Sequence, residues 1–257
     1  MTANASRRPS PVTFFLLAFA LSIPFLLLSA GTGIEVLSGI PIAGLAFVCP
    51  GLAAVILVYR ANRAAGVGDL LRRSFDFKRI TSNIWYAPLL LLMPGKDVVS
   101  FVVLRATGVP VPSPHFSVLT ALVLFVAFFI GALGEELGWS GYAIDPMQDR
   151  LGAIRAAVLL GVVWAAFHIV PLMQAHRSFD WIGWWCLGTI AMRVIMVWLY
   201  NNTGRSVFAM ALFHASSNLS WQLFPIHGSY FDPRVGGLIT ALVAAIVAIA
   251  MRRGNVR

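Results

Sequence analysis

The chain alternates long apolar runs with short polar connections, and the runs have the length of membrane-crossing helices. About 20 apolar residues in α-helical form cross the hydrocarbon layer. Such runs fall at Val12–Leu28, Gly39–Tyr59, Asn83–Leu104, Phe116 onward, Ile154–Val170, Trp181–Tyr200, Ser206–Leu223 and Val235–Met251. Pro94-Gly95-Lys96-Asp97 interrupts the third, and the fifth is expected to stop near Pro171, because proline lacks a backbone donor and crowds the preceding turn. The fourth can run to about Asp149. That is too long for one straight span, so a later start near Phe125 or a bend at its Gly-rich stretch is expected. The pattern predicts an all-α integral membrane protein, with about eight transmembrane helices forming a bundle around a membrane-embedded polar cavity.

Composition sharpens this picture. The 257 residues are 59% hydrophobic and 11% charged, which excludes a soluble globular domain. Net charge is +9, a value that in a soluble chain would suggest nucleic acid. Here the bases cluster in short loops between apolar runs, so the expected partners are the lipid bilayer and a membrane-associated peptide or protein, with no nucleic acid. One segment set holds Arg7, Arg8, the six bases from Arg60 to Arg79, Arg150, Arg155, Arg205, Arg252, Arg253 and Arg257, while the opposite loops hold Arg105, Arg177 and Arg234. The bias predicts a multi-pass protein of the cell inner or plasma membrane with cytoplasmic N- and C-termini.

The division expected is a polar tail at 1–11, one membrane domain at 12–251 and a basic tail at 252–257. Arg7 and Arg8 ahead of an apolar run, with Ser29-Ala30-Gly31 behind it, resemble a signal peptide. The run is long for that, so an uncleaved first helix is expected. Between Arg60 and Arg79, Leu70, Leu71, Phe75 and Phe77 interleave with the bases; an interfacial segment and a solvated loop both fit. Cys49 and Cys186 are far apart within apolar runs and read as buried small residues. Lys96 and Asp97 are expected to neutralise each other at a kink or snorkel at a helix break, with no chemistry assigned.

Candidate chemistry begins with Glu135 and Glu136, which follow the uncharged stretch from Phe116 to Leu133. Carboxylates at such a position are costly and tend to be paired, solvated and functional. Adjacent acids do not both ionise cheaply, which suits one of them to general-base work. A helix end meeting interfacial water is the plain structural alternative. Three more polar residues recur inside apolar helices: His168, His214 and Asn218. Counting from the turn near Gly152, Glu135 and His168 reach similar heights, about 25 Å along their helices at 1.5 Å per residue. His214 and Asn218 share a helix face at i,i+4. Carboxylate plus imidazole can deprotonate water, and a His/Asn pair can donate to an oxyanion. Glu135, Glu136, His168 and His214 can also ligate zinc, although His-Glu-x-x-His is absent. Gly134-x-x-x-Gly138 is expected to let another helix approach closely, helping to bring His168 near Glu135.

Glu135-Glu136-Leu-Gly-Trp-x-Gly-Tyr, Trp164-Ala-Ala-Phe-His168 and His214-x-x-x-Asn218, in that order on helical hairpins, resemble the CPBP intramembrane protease family. That family comprises type II CAAX prenyl endopeptidases and Abi, bacteriocin-processing-like proteins. The resemblance covers about residues 116–220. It implies an eight-helix bundle with a conical cavity open to membrane and cytoplasm. It further implies an endopeptidase acting on a membrane-associated or lipidated substrate. Glu135 or Glu136 would be the base, with the lean to Glu135; His168 would assist it, and His214 and Asn218 would hold the oxyanion. The label metalloprotease attaches to the family; the glutamate–water route needs no cofactor, and zinc stays open. The family's first motif is usually Glu-Glu-x-x-x-Arg, whereas this chain has Ser140 in the Arg position. Arg193, at similar depth, is the candidate replacement; snorkelling to the interface is its alternative. Two other functions stay open: a catalytically silent binding, scaffold or immunity protein, which Ser140 favours, and a small transporter, since intramembrane acids and histidines also relay protons.

Overall fold

A computed structural model describes residues 10–37 and 40–253. The predicted tails therefore lie mostly outside the described residues, as do Arg7, Arg8 and Arg257. The chain forms α1 (Pro11–Thr32), a short hairpin of β1 (Glu35–Leu37) and β2 (Ile40–Pro41), α2 (Val48–Arg72), α3 (Tyr86–Ala106) and α4 (Val118–Gly138). A π-helical turn, Trp139–Ala143, links α4 to α5 (Ile144–Leu151); α6 (Ala153–Gln174), α7 (Phe179–Asn202), α8 (Val207–Gln222) and α9 (Pro233–Arg252) follow. Side-chain oxygens of Ser10, Ser117, Ser178, Ser206 and Asp232 cap α1, α4, α7, α8 and α9, satisfying amide donors that the first helical turn leaves open.

Seven helical segments are long and apolar enough to cross a membrane, with α4, the π-turn and α5 counting as one from Val118 to Leu151. The remaining helix, α8, has 16 residues and is buried along most of its length. It is surrounded by α3, α4 and α7, so it meets protein more than lipid. The architecture is the all-α membrane bundle expected. α1 begins and α9 ends at one end, which also carries the α2–α3, α5–α6 and α7–α8 connections. The other end carries the α1–α2, α3–α4, α6–α7 and α8–α9 connections.

Three expectations need correction. α3 is not interrupted at Pro94. Pro94 has no N–H for the Leu90 carbonyl, and the Ser216 hydroxyl donates there instead at 2.7 Å, as neighbouring helices commonly do in membranes. α6 likewise continues through Pro171 to Gln174. The Arg60–Arg79 stretch is no separate loop: α2 runs on to Arg72, its direction changed at Arg63 (φ 56°, ψ −156°). Two 3-10 turns then carry Arg73 beneath the bundle, where it donates to the Gly141 carbonyl at 2.7 Å and the Tyr200 hydroxyl at 2.7 Å. Lys96 and Asp97 do neutralise each other, at 2.5 Å and buried, but within continuous helix.

Candidate active site

Glu135 and Glu136 occupy the end of α4, immediately before the π-turn. Successive helical residues point about 100° apart, so the two carboxylates meet different neighbours. Glu136 is fully buried. Arg193 grips it bidentately, Nη1 to Oε2 at 2.9 Å and Nη2 to Oε1 at 3.1 Å. Nδ1 of His214 lies 3.1 Å from Oε1, and the Ser140 hydroxyl donates to Oε2. A carboxylate facing a guanidinium fork is matched in charge and geometry. The guanidinium also stacks on Trp164, 4.1 Å from the ring centroid. Gly161 allows α6 this close to α7: a Cβ there would stand 3.0 Å from the Ile190 Cα and 3.2 Å from the Arg193 Cβ. Arg193 thus takes up the charge that the missing motif arginine would have met, and Ser140 leaves room for it.

Glu135 sits differently. Its Oε2 accepts from the indole N–H of Trp164 at 2.7 Å and of Trp139 at 3.2 Å. Both indoles are themselves fixed: Trp139 packs edge-on against Phe14 and Phe167, and Trp164 stands between Arg193 and the two histidine rings. Unlike Glu136, Glu135 lines a cavity of about 230 Å³, together with His168, His214 and Asn218. Four of the five predicted site residues therefore share one space, while Glu136 lies behind it and holds His214.

The imidazoles have readable donors. Nδ1 of His168 is 2.8 Å from the Trp164 carbonyl; a carbonyl only accepts, so Nδ1 carries a proton and Nε2 is the acceptor of the neutral ring. Glu136, already accepting from Arg193, acts as acceptor for His214 too, so Nδ1 of His214 is also a donor. The π-turn matters here: it places Trp139 and Ser140 to donate back to Glu135 and Glu136, each at i,i+4. Sequence reasoning did not assign Trp139 and Trp164 any role toward Glu135. The i,i+4 spacing exposes the first; the second is a contact between helices.

The Gly134/Gly138 face packs on α2, not on α6. A Cβ at Gly138 would lie 2.5 Å from the Pro50 carbonyl oxygen, and one at Gly134 3.1 Å from that of Phe47. His168 reaches the site through the Trp164 contact instead.

The donor set does not fit a zinc ion as arranged. Among the described residues, no three His, Cys, Asp or Glu side chains come together as a ligand group. Both oxygens of Glu136 are engaged by hydrogen donors, and Oε2 of Glu135 faces two indole N–H groups.

The cavity has a direction. Its deep end is Glu135 and His214; its walls continue to Pro41, Arg177, Trp181 and Trp221, at the α1–α2, α6–α7 and α8–α9 end of the bundle. His168 is about 9 Å and His214 about 12 Å along its helix from that end, at 1.5 Å per residue. Cytoplasmic termini and a cytoplasmic mouth, both expected above, are incompatible in this structure.

Residues 117–220, the stretch bearing all three motifs, match the family model for type II CAAX prenyl endopeptidase Rce1-like proteins. The chain is 28% identical over 192 residues to CAAX prenyl protease 2 of Methanococcus maripaludis, covering 69% of this chain and 70% of that one. It is also 25% identical over 209 residues to lysostaphin resistance protein A of Staphylococcus aureus strain Newman, covering 76% of this chain and 46% of the longer relative. The resemblance read from the motifs is thereby shown: residues 117–220 are similar to Rce1-like proteins.

Proposed function

We propose that this protein is an intramembrane endopeptidase that hydrolyses a peptide bond of a membrane-associated substrate, with Glu135 as general base. The observation that carries this reading is the division of labour between the two acids. Glu136 is neutralised by Arg193, whereas Glu135 opens on the same cavity as His168, His214 and Asn218. The similarity to CAAX prenyl endopeptidases supports peptide hydrolysis generally.

The chemistry follows from the donors. A water between Glu135 and the scissile carbonyl gives one proton to the carboxylate while its oxygen attacks the carbonyl carbon. Nε2 of His168 accepts the second water hydrogen and orients the attack, its own tautomer being set by the Trp164 carbonyl. The carbonyl oxygen becomes an oxyanion, within reach of the Asn218 amide and Nε2 of His214. Because Nδ1 of His214 donates to Glu136, Nε2 donates only from the doubly protonated ring. Glu136 is therefore a positioning residue that fixes the His214 ring through its Nδ1. Collapse of the intermediate breaks the C–N bond, and the proton held by Glu135 passes to the leaving amine. No step needs a metal or another cofactor. Lipidation of the substrate is compatible with the apolar surroundings and is not required by any residue named here.

Cytoplasmic termini and residence in the inner or plasma membrane belong to the same proposal, on the charge bias of the connections. The silent-scaffold alternative drew on Ser140; with Arg193 on Glu136, that departure no longer implies a lost charge.

The test is cleavage of a panel of lipidated and unlipidated fluorogenic peptides by purified wild type, Glu135→Ala, Glu136→Ala and His168→Ala. Metal content and chelator sensitivity are measured on the same samples. Turnover lost in Glu135→Ala and His168→Ala while both remain folded is expected. A folded Glu135→Ala variant with undiminished turnover would overturn the assignment.

A further inference from the structure

We propose that the catalytic cavity opens to the non-cytoplasmic side of the membrane, so that the substrate is an extracytoplasmic segment of a membrane-anchored peptide or protein. This rests on the hydrolase reading for the word substrate, while the direction of opening stands on geometry and charge alone.

The cavity is blind at the end where α1 begins and α9 ends. Below Glu135 and Glu136 the bundle is filled by Trp139, Ile144, Tyr200 and Met210, all essentially buried. Beneath these a polar lattice closes the end. Arg73 donates to the carbonyls of Gly141 and Arg205 at 2.7 and 2.9 Å and to the Tyr200 hydroxyl, which donates on to Asp145 at 3.1 Å. Asp76 takes the Ser206 hydroxyl at 2.6 Å and the Phe208 amide at 3.1 Å, tying the turn after α2 to the start of α8. At Gly204 (φ 64°) a Cβ would stand 2.6 Å from the Arg79 carbonyl oxygen, so the α7–α8 turn is pressed onto the same segment. A peptide has no route through this end without dismantling it.

The opposite end is built for approach. Pro41 of the β-hairpin, Arg177 and Trp181 of the α6–α7 connection and Trp221 near the end of α8 line the mouth, and Arg177 lies over the Trp181 ring at 4.9 Å. Aromatic rings with a cation at a membrane–water boundary suit an amphipathic chain entering from the interface.

Charge decides which side each end faces. Among the described residues, the closed end carries Arg60, Arg63, Arg72, Arg73, Lys78, Arg79, Arg150, Arg155, Arg205, Arg252 and Arg253. The open end carries Arg105, Arg177 and Arg234, and Arg234 is paired with Asp180 at 2.6 Å. Short connections rich in Lys and Arg stay in the cytoplasm. The closed end is then cytoplasmic and the mouth faces outward.

The experiment is cysteine labelling of intact cells with a membrane-impermeant maleimide, in a Cys186→Ser background. Cys49, fully buried, is retained as a fold control that reacts only on unfolding. His115→Cys reports the α3–α4 connection, Lys78→Cys the closed end and Ser217→Cys the cavity wall, with Thr189→Cys as a second cavity probe. Expected is labelling of His115→Cys and of a cavity cysteine in intact cells, and of Lys78→Cys only after permeabilisation. Labelling of Lys78→Cys in intact cells while His115→Cys is protected overturns the orientation. Failure of both cavity cysteines to label in intact cells, with His115→Cys labelled, overturns the outward mouth. Labelling does not depend on turnover: the expected pattern in a protein that cleaves no peptide would count against hydrolysis and leave the opening as inferred.

Discussion

Replacing Arg193 by Gln should destabilise the protein more than any other single polar substitution in the bundle. The guanidinium is 1% exposed and holds a fully buried carboxylate through contacts of 2.9 and 3.1 Å. Two unit charges about 4 Å apart interact by about 4 kcal/mol at an effective dielectric of 20, and deleting one partner of a buried pair typically costs about 3–5 kcal/mol. Ser140 and His214 remain on Glu136 after the change, and they limit the loss to the lower half of that range. For a chain of this size, 3 kcal/mol corresponds to a fall in Tm on the order of 10 °C. The natural assay follows Cys49 with a thiol-reactive dye during a thermal ramp in detergent, in a Cys186→Ser background, because Cys49 is fully buried when folded. The double variant Glu136→Gln/Arg193→Gln should recover much of the loss, since it leaves no unpaired charge. Arg193→Gln melting within about 1 °C of its parent would refute the pair as a structural element. Equal destabilisation of the single and double variants would show that shape, not charge, is what Arg193 supplies.

Other outcomes follow from particular contacts. Trp164→Phe keeps a ring beneath Arg193 but removes the 2.7 Å donor to Glu135; a charge-assisted bond of about 1.5–3 kcal/mol should appear as a roughly 10- to 100-fold lower kcat with KM nearly unchanged. Gly138→Ala forces a methyl to within 2.5 Å of the Pro50 carbonyl oxygen, and overpacking of about 1–3 kcal/mol should lower Tm by several degrees. Asp76→Asn weakens acceptance from Ser206 and the Val207 and Phe208 amides; a loss of about 1 kcal/mol in the thermal ramp is expected from the cap and helix dipole.

Much of this molecule was legible along the chain because a bilayer imposes one rule on every span. Backbone groups must pair within the helix, so apolar length alone locates helices. That rule also explains the misreadings. Proline at 94 and 171 breaks helices in water, yet within a membrane bundle a neighbour can supply the missing partner, as Ser216 does for Leu90. Arg60 to Arg79 fitted either an interfacial segment or a solvated loop because apolar residues interleave with its bases. The loop alternative fails, and α2 reaches Arg72 because Arg73 and Asp76 find partners on the underside of the bundle.

The site was legible by depth but not by contact. Equal heights from a turn brought Glu135 and His168 together, and i,i+4 spacing paired His214 with Asn218. Height says nothing of azimuth, however, and azimuth separates the two acids: one turns to the cavity, its neighbour to α7. Once Glu136 faces α7, a cation must stand opposite it, and the choice between an arginine at position 140 and one at 193 becomes a question of which helix carries it. An arginine at 140 would come from the same helix and fix only the side chain of Glu136. Arg193 comes from α7 and also stacks on Trp164 of α6, whose indole holds Glu135. In this chain the cation therefore ties the orientation of both acids to the packing of α4, α6 and α7. Any loosening of α7 should disturb Glu135 and Glu136 together, although Glu135 has no ion pair of its own among the described residues.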